Sequence, residues 1–354
     1  MRRTLGVLLA IAGLTGAFMV PVASAAEAST YIVLYRAGAS SADAGTTVAA
    51  AGGTLVANYA EIGVVVARSS DAKFSANLAA NRRIEGVAVS TKVADVNPQG
   101  ILVEESHDEQ PPELVNAPAG ADTFDTLQWH MRQIHAPEAH AITGGSSAVV
   151  VGDIDTGVDK DHPDLLPNID FARSASCQSG VPDTDPAAWD DRHGHGTHTT
   201  GTMAAAFNGI GITGVAPNVK IAAIKSSTDE GYFFVEMVVC SFMWAGGAPI
   251  DNPATPGLDF PATVGPRADV TNNSYFMDPF LYNCRDDAAQ RVLWKAAQRA
   301  ILYAYQQGVT NVAAIGNDFD DRAHPSLDFI SPDYPPGQEV TREARDILPP
   351  GSTS

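Results

Sequence analysis

Three histidines lie within a short stretch of glycine and threonine, His193-Gly-His195-Gly-Thr-His198, which continues into small residues as far as Ala206. Glycine allows a close backbone approach, so this stretch can form a loop and a helix packed tightly on a sheet. A histidine held rigidly at such a junction is accessible to other groups, and its ordinary pKa suits a general base. The stretch therefore predicts a catalytic site, provided that a nucleophile lies within reach.

A carboxylate that could serve this histidine is predicted at the end of a buried strand. Residues 148–154 are largely apolar and β-branched, and they lead into Asp155-Thr156-Gly157. Such a run is typical of a parallel strand buried on both faces. In open α/β sheets the working crevice lies outside the carboxyl ends of the strands. Asp155 is therefore the candidate partner, although an aspartate close to a glycine is also a common turn residue.

The elements that position these groups alternate between strand and helix across residues 126–354. The sequence predicts strands at 148–155, 219–225, 268–274 and 309–315, and helices at 232–246 and 286–307. The last helix is the clearest, because alanines and Leu293 recur along one face. This alternation predicts an α/β fold with a doubly wound parallel sheet.

The first part of the chain is predicted to form a separate domain. Residues 30–97 give the order strand, helix, strand, strand, helix, strand, with the last strand covering 84–96. This order is that of the ferredoxin-like α+β fold. The domain contains no cluster of histidine, cysteine or paired carboxylates, which favours a binding or folding module. Residues 98–125 are acidic and rich in small residues and proline, as in an exposed linker.

Composition restricts the classes of partner. The 354 residues carry a net charge of −19, which argues against nucleic acid or an anionic membrane as a partner. Residues 1–25 have a basic start, an apolar middle and a small-residue end, as in a secretory signal peptide. The alternative, a membrane anchor, is disfavoured because the apolar run is shorter than the roughly 20 residues of a membrane span. We therefore expect a secreted, extracellular protein.

Taken together, three motifs resemble those of the subtilisin-like serine proteases, the subtilase family. They are Val-Gly-Asp-Ile-Asp155-Thr-Gly, His195-Gly-Thr-His and Val-Ala-Ala-Ile-Gly-Asn317. The resemblance spans residues 30–325 and implies a polypeptide substrate. It implies that Asp155 orients His195, that His195 takes the proton of a serine, and that Asn317 donates to the oxyanion. His198 is assigned a structural role.

The same resemblance assigns the first domain and the substrate strand. The domain at 30–97 is similar to the family's propeptide, which covers the cleft, assists folding and inhibits. Ser274 marks the strand that pairs with substrate in the family. There Tyr275 and Phe276 replace the usual leucine and glycine, so they are expected to narrow or reshape the cleft, and the cleavage preference stays open.

The family's nucleophile motif, of the type Gly-Thr-Ser-Met-Ala, is absent. The serines that follow Asn317 are Ser326, Ser331, Ser352 and Ser354, and none of them opens such a motif. The chain therefore looks C-terminally truncated, which leaves two hypotheses. One is a serine endopeptidase, and the other is an inactive fragment that inhibits or assists folding through its propeptide domain.

Cysteines and metals leave further alternatives. One alternative pairs Cys240 with Cys284 and leaves Cys177 single, the other is an unpaired buried cysteine, and the sequence does not decide the pairing. A zinc site built from His193, His195, His198 and the neighbouring Asp190 and Asp191 is disfavoured, since their spacing is not a common ligand spacing. No cofactor is expected to be required. Calcium is left open as a structural ion, since oxygen-rich loops such as 183–191 suit a hard cation.

Overall fold

The structure, a computed structural model, describes residues 28–96, 122–250, 260–277 and 288–314, and two short strands at 327–328 and 338–339. Several sequence predictions fall outside these residues. They are the signal peptide at 1–25, most of the linker at 98–125, Asn317, Cys284 and the four serines that follow Asn317.

The N-terminal domain is a four-stranded antiparallel sheet with two short helices. Its strand order is β2-β3-β1-β4, which confirms the predicted ferredoxin-like arrangement. The elements are β1 (Ser29–Tyr35), α1 (Ala44–Ala50), β2 (Thr54–Tyr59), β3 (Val64–Ser69), α2 (Phe74–Ala79) and β4 (Ile84–Val89).

The extended segment predicted at 84–96 consists of two strands rather than one. After β4, a separate strand β5 (Lys92–Asp95) leaves the N-terminal sheet and joins a second, three-stranded sheet. Local pattern cannot distinguish these cases, because both strands have extended, β-branched sequence and differ only in their partners.

The C-terminal domain is an α/β domain with a parallel five-stranded sheet, as predicted. Its strand order is β12-β10-β6-β8-β7, and every pairing is parallel. The strands of this domain are β6 (Val150–Asp155), β7 (Ala175–Ser176), β8 (Lys220–Lys225), β9 (Tyr232–Phe234), β10 (Val270–Asn273), β11 (Phe276–Met277) and β12 (Thr310–Ala313). Of these, β9 and β11 pair with β5 in the three-stranded sheet. Its helices are α3 (Trp129–Gln133), α4 (Ala136–His140), α5 (Pro186–Trp189), α6 (His195–Ala204), α7 (Val235–Ala245) and α8 (Ala288–Gln306), and β13 (Leu327–Asp328) pairs with β14 (Gln338–Glu339).

Helices cover both faces of the parallel sheet. Alternate residues of β8 show this division, because Ala222 and Ile224 pack in the core that contains α7 and α8. Ile221 and Ala223 pack instead in the core that contains Trp189 of α5 and Ala204 of α6. The helix predicted at 232–246 begins only at residue 235, since the first three residues form β9. Strand β7 was not predicted, because two residues carry no periodic signal.

The two domains pack through one face of the N-terminal sheet. Ile32 and Leu34 of β1 belong to the same buried core as the inner faces of α7 and α8, whereas Val33 and Tyr35 pack with α1 and α2. Strand β1 therefore has no polar face, because its side chains alternate between two apolar interiors.

A carboxylate of the N-terminal sheet makes the ionic part of this interface. Glu85 of β4 forms ion pairs with Lys295 and Arg299, two partly buried residues of α8. Arg299 also donates to the carbonyl oxygens of Tyr35 at 2.8 Å and Ile62 at 3.0 Å. Arg299 thus ties the helix to the backbone at the ends of β1 and the β2–β3 turn.

The sequence left the disulfide pairing open, and the suggested Cys240–Cys284 bond with a single Cys177 is wrong. Cys177 and Cys240 form a disulfide, with their Cα atoms 5.6 Å apart and both residues fully buried. The loop after β7 brings Cys177 onto α7, a contact between elements 63 residues apart in sequence. The pairing depends on which elements become neighbours, and spacing along the sequence does not determine that.

Candidate active site

Asp155 and His195 meet at the carboxyl end of β6. Asp155 is the last residue of β6 and is fully buried, and His195 is the first residue of α6. The distance between His195 Nδ1 and Asp155 Oδ1 is 2.8 Å. An ionised carboxylate can only accept hydrogen bonds, so Nδ1 carries the proton and Nε2 is left with a lone pair. This is the arrangement of a general base with an orienting acid.

Neighbouring carboxylates raise the proton affinity of His195. Burial of the imidazole alone would lower the pKa of His195, but the hydrogen bond and charge of Asp155 outweigh it. Asp153 and Asp191 add further negative charge, and the pKa of His195 lies above its ordinary 6.5. The imidazolium form, which a general base reaches on taking a proton, is therefore stabilised.

Asp191 holds the loop that presents His195. Its Oδ1 accepts from the backbone N–H groups of His193 at 2.9 Å and Gly194 at 3.0 Å. Its Oδ2 accepts from the backbone N–H of Thr197 at 3.0 Å and from its hydroxyl at 2.6 Å. Although burial raises the pKa of Asp191, these hydrogen bonds bring it below its usual value. Asp191 thus caps the first turn of α6 with a fixed negative charge.

Thr156 connects this loop to the end of β6. Its hydroxyl donates to Asp191 Oδ1 at 3.0 Å and accepts from the backbone N–H of Gly196 at 2.9 Å. The backbone N–H of Thr156 itself donates to Asp155 Oδ1 at 2.7 Å. The roles of Thr156 and Asp191 in holding this loop were not predicted, because a threonine or an aspartate in a loop has no distinctive sequence signal.

The other histidines of the stretch do not converge with His195. His198 is exposed on the outer side of α6 rather than packed in the interior, and the rings of His193 and His195 are 6.3 Å apart in an edge-to-face arrangement. Asp190 pairs with Lys160 and Arg192. Over the described part of the chain, no three histidine, cysteine or acidic side chains form a group suited to a metal ion.

One end of strand β5 lies near the loop that carries His193. It lies between β9 and β11, antiparallel to both, with Ala94 opposite Phe233 on one side and Met277 on the other. One residue further, the backbone N–H of Val96 donates to the carbonyl oxygen of Gly231 at 3.3 Å. A Cβ added at Gly231 would lie 3.1 Å from His193 Nε2, which places this end of β5 next to the histidine loop.

Ser274 lies between β10 and β11, where the substrate strand was predicted. Its hydroxyl exchanges hydrogen bonds with the Asn272 side chain. The neighbouring Tyr275 stacks on Phe233 with ring centroids 4.3 Å apart, and its hydroxyl donates to Asn273 Oδ1 at 3.1 Å. Desolvation by burial raises the pKa of Tyr275. This aromatic pair joins β9 to the start of β11, the two strands that enclose β5.

Two other carboxylates, Asp122 and Asp164, lie near each other against the loop at 208–213. Asp122 accepts from the backbone of Asn208 and Gly209, and Asp164 Oδ2 accepts from the backbone of Ile212 at 2.9 Å. The other oxygen, Asp164 Oδ1, is buried and has no hydrogen-bond donor among the described residues. Burial and then the charge of Asp122 raise the pKa of Asp164. Two nearby carboxylates with an unpartnered buried oxygen are suited to a hard cation.

An aspartate at a strand end of the parallel sheet is thus hydrogen-bonded to a histidine at a helix start, which is the pairing of a base with its orienting acid on an α/β fold. Comparison with known proteins gives the family. The model of the subtilase family matches residues 146–335, more than half of the chain, and the chain belongs to this family.

Relatives and solved structures agree with that assignment. The chain is 38% identical over 123 residues to the alkaline protease of Alkalihalobacillus alcalophilus, covering 34% of this chain and 29% of that protein. It is 37% identical over 123 residues to subtilisin Savinase of Lederbergia lenta, covering 34% of this chain and 41% of that protein. The chain thus spans well under half the length of these relatives.

The fold is similar to that of the epidermin leader peptide processing serine protease from Staphylococcus aureus, with a TM-score of 0.58 and 22% identity. The likeness covers 84% of this chain and 62% of that structure. Fervidolysin from Fervidobacterium pennivorans, a keratinolytic enzyme related to subtilisin, gives a TM-score of 0.56 at 23% identity over 82% of this chain and 40% of that structure.

Proposed function

We propose that this chain forms the aspartate and histidine part of a serine endopeptidase that hydrolyses peptide bonds. The observation that carries the proposal is the buried hydrogen bond between His195 Nδ1 and Asp155 Oδ1. With its proton on Nδ1, His195 receives the proton of a serine hydroxyl on Nε2, and Asp155 stabilises the imidazolium that results. Asn317 is assigned the role of donating a hydrogen bond from its side-chain amide to the oxyanion of the tetrahedral intermediate.

The family's nucleophile motif does not occur in these 354 residues, and a fluorophosphonate probe tests for a reactive serine. Such a probe labels a serine only where a neighbouring base activates it. We expect no labelling of the 354-residue chain, and labelling of a form that also carries the family's Gly-Thr-Ser-Met-Ala-type motif. In that form His195→Ala should abolish labelling and hydrolysis of an unfolded protein substrate.

The outcomes separate the two hypotheses of the sequence analysis. Labelling of the 354-residue chain that disappears in a variant of one of its own serines would identify an unrecognised nucleophile and support the endopeptidase. If the form with the serine motif is folded but neither labelled nor active, the proposed peptidase activity is wrong.

The N-terminal domain is proposed to act as a propeptide that covers the cleft. Strand β5 lies between β9 and β11 with the backbone pairing that a bound peptide would use, which supports this assignment. In this proposal β5 occupies the position of a bound peptide, and its backbone pairing indicates how a polypeptide substrate would lie.

An inhibitory or folding-assisting role is the second candidate function, and the same observation favours it. We expect the 354-residue chain, added in excess, to slow hydrolysis by an intact subtilase from a relative. Unchanged hydrolysis across a range of concentrations would exclude inhibition in trans.

Secretion is proposed from residues 1–25. Among the described residues, no helix is both long and apolar enough to cross a membrane. N-terminal sequencing of protein collected from the medium should begin shortly after residue 25. Retention of the intact N-terminus in the exported protein would contradict a cleaved signal peptide.

Calcium is proposed as a stabilising ion, held by Asp164 and Asp122. A bound cation would supply positive charge between the two carboxylates and would fix the loop at 208–213, whose backbone already donates to both of them.

A further inference from the structure

A second aspartate lies beneath the catalytic pair. Asp153 precedes Asp155 by two positions on β6, so both side chains point to the same face of the sheet, toward α6. Asp153 is fully buried, in a strand whose other residues are mostly apolar. A buried carboxylate at such a position costs stability unless hydrogen bonds satisfy it, and it therefore calls for a physical explanation.

Three side chains from two elements hold the carboxylate of Asp153. The hydroxyls of Thr199 and Thr200 on α6 donate to its Oδ2, each at 2.8 Å. The side-chain amide of Asn272 on β10 donates to its Oδ1 at 2.9 Å. Strand and helix are thus joined across the interior by a polar network immediately below Asp155 and His195.

The network can accommodate both protonation states of Asp153. The hydroxyl of Thr199 also lies 3.1 Å from the carbonyl oxygen of Gly196, to which it can donate instead. When Asp153 is ionised, Thr199 donates to it. When Asp153 is protonated, its O–H can donate to Thr199, and Thr199 then donates to Gly196, the residue that follows His195.

The charged groups around Asp153 are few. On its own strand the neighbour is Asp155, and on β8 its partner is the apolar Ala223. The charged side chain of β8 nearest to this end is Lys225, whose Nζ is committed to Asp229 at 2.6 Å. Strand β10 contributes the neutral Asn272.

The other titratable groups near Asp153 belong to α6 and to the loop before it. His195 begins α6, and Asp191 lies in the loop before it. His198 is the other titratable group on α6 and is exposed. Burial, and then the charge of Asp155, raise the pKa of Asp153 to about 7, although its three hydrogen bonds act in the opposite direction.

We propose that Asp153 is a positioning residue of the active site, which through its charge and its hold on α6 sets the proton affinity of His195. The inference rests on the proposed role of His195 as general base. Asp153 thus joins Asp155 and His195 as a third ionisable group of the site. It is held by Thr199 and Thr200, which belong to the same helix as His195.

The test is an NMR titration of His195 in the 354-residue chain, which does not require catalysis. The imidazole signals are assigned with a His195→Gln variant. In the wild type we expect a titration spread over more pH than a single group gives, because Asp153 loses its proton in the same range. In Asp153→Asn we expect a simple one-proton curve with a lower midpoint, since the imidazolium loses a neighbouring anion.

Two further variants serve as control and second test. Asp161→Asn removes an exposed carboxylate outside the network and should leave the His195 midpoint unchanged. Thr200→Val removes one donor while keeping the carboxyl, so Asp153 ionises at higher pH and the His195 midpoint should fall. This variant decides the matter if Asp153→Asn does not fold.

Identical His195 curves in the wild type and the folded variants would overturn the inference. The proposed function can fail separately. If the midpoint shifts but the form with the serine motif shows no hydrolysis, the role of Asp153 stands and the peptidase activity does not. If hydrolysis occurs and no variant moves either the midpoint or the pH profile of kcat/KM, Asp153 is only structural.

Discussion

Gly196 packs directly on the carbonyl oxygen of Gly157, so the first turn of α6 lies against the chain that leaves β6. A Cβ at position 196 would overlap with that oxygen and would lie 3.2 Å from the Cβ of Asp155. Since His195 immediately precedes Gly196, the absence of a side chain at this position allows the imidazole and the carboxylate to reach hydrogen-bond distance.

Replacing Gly196 by alanine should therefore separate α6 from β6. We expect a loss of about 1–3 kcal/mol in the free energy of unfolding, as for other overpacked interiors, measured by urea denaturation. Gly201→Ala is the matched control on the same helix, because its Cβ would meet only Ile212 at an ordinary 3.7 Å. That variant should be neutral or gain up to about 1 kcal/mol from helix propensity. Equal losses in the two variants would contradict the proposed contact.

Glu85→Lys should loosen the N-terminal domain from α8. The substitution places a third positive charge beside Lys295 and Arg299 and removes both ion pairs. Hydrogen exchange at the amides of β5 should become faster, because β5 is held in place partly by the docking of its domain. Asp43→Lys is the control, since its exposed partner Arg83 lies within the N-terminal domain. Unchanged exchange in Glu85→Lys would show that the apolar contacts alone hold the interface.

The same interface should weaken as pH rises. Glu236 of α7 is buried and accepts a hydrogen bond from the Ser90 hydroxyl. Burial raises the pKa of Glu236 above its ordinary 4.5, and this outweighs the hydrogen bond. A pKa raised on folding means that the stability is complete below the unfolded-state pKa and is lost as pH rises through the folded-state value. Glu236→Gln should flatten this decline in free energy of unfolding above pH 4.5, and an unaltered pH profile would refute the assignment.

Removing the disulfide should destabilise the C-terminal domain. The Cys177–Cys240 bond joins the loop after β7 to α7, and loss of a native disulfide typically costs about 2–5 kcal/mol. Cys240→Ala should show that loss in denaturant unfolding, whereas Cys284→Ala should keep the bond. Peptide mapping without reductant checks the pairing directly. Recovery of a Cys240–Cys284 peptide would contradict the structure.

Calcium should raise the melting temperature through Asp164. With the cation bound, the unpartnered Oδ1 of Asp164 becomes a ligand of the cation, and the repulsion between Asp164 and Asp122 is relieved. Chelation should therefore lower the Tm of the wild type, measured by calorimetry. Asp164→Asn should melt at the lower temperature of the chelated wild type, whether or not calcium is present. Asp185→Asn is the control, because Asp185 lies in the loop at 183–191 and caps α5. An equal response to chelation in Asp164→Asn and the wild type would place the ion elsewhere.

Some features followed from local sequence because local physics determines them. The apolar β-branched run before Asp155 predicts a buried strand, and the one-sided alanines and Leu293 predict α8 to within two residues at either end. The three motifs in order indicated the family. Asp155 and His195 were identified because the residue type, the end of a strand and the start of a helix all agree on one chemistry.

Other features depend on which elements become neighbours, and no local pattern carries that information. Strand β5 has the sequence of an ordinary strand, yet it pairs outside its own sheet. Cys177 forms a disulfide with Cys240 because the loop after β7 lies against α7. Asp153 could have been noticed as a carboxylate in an apolar run, but its donors on α6 and β10 are distant in sequence.

The sequence by itself determined the family, the α/β class and the two members of the Asp155–His195 pair, because each follows from a local motif. Only the tertiary structure decided the disulfide, the position of β5 beside the histidine loop and the network around Asp153. These depend on contacts between side chains from different segments. A buried carboxylate such as that of Asp153 costs stability unless particular partners donate hydrogen bonds to it.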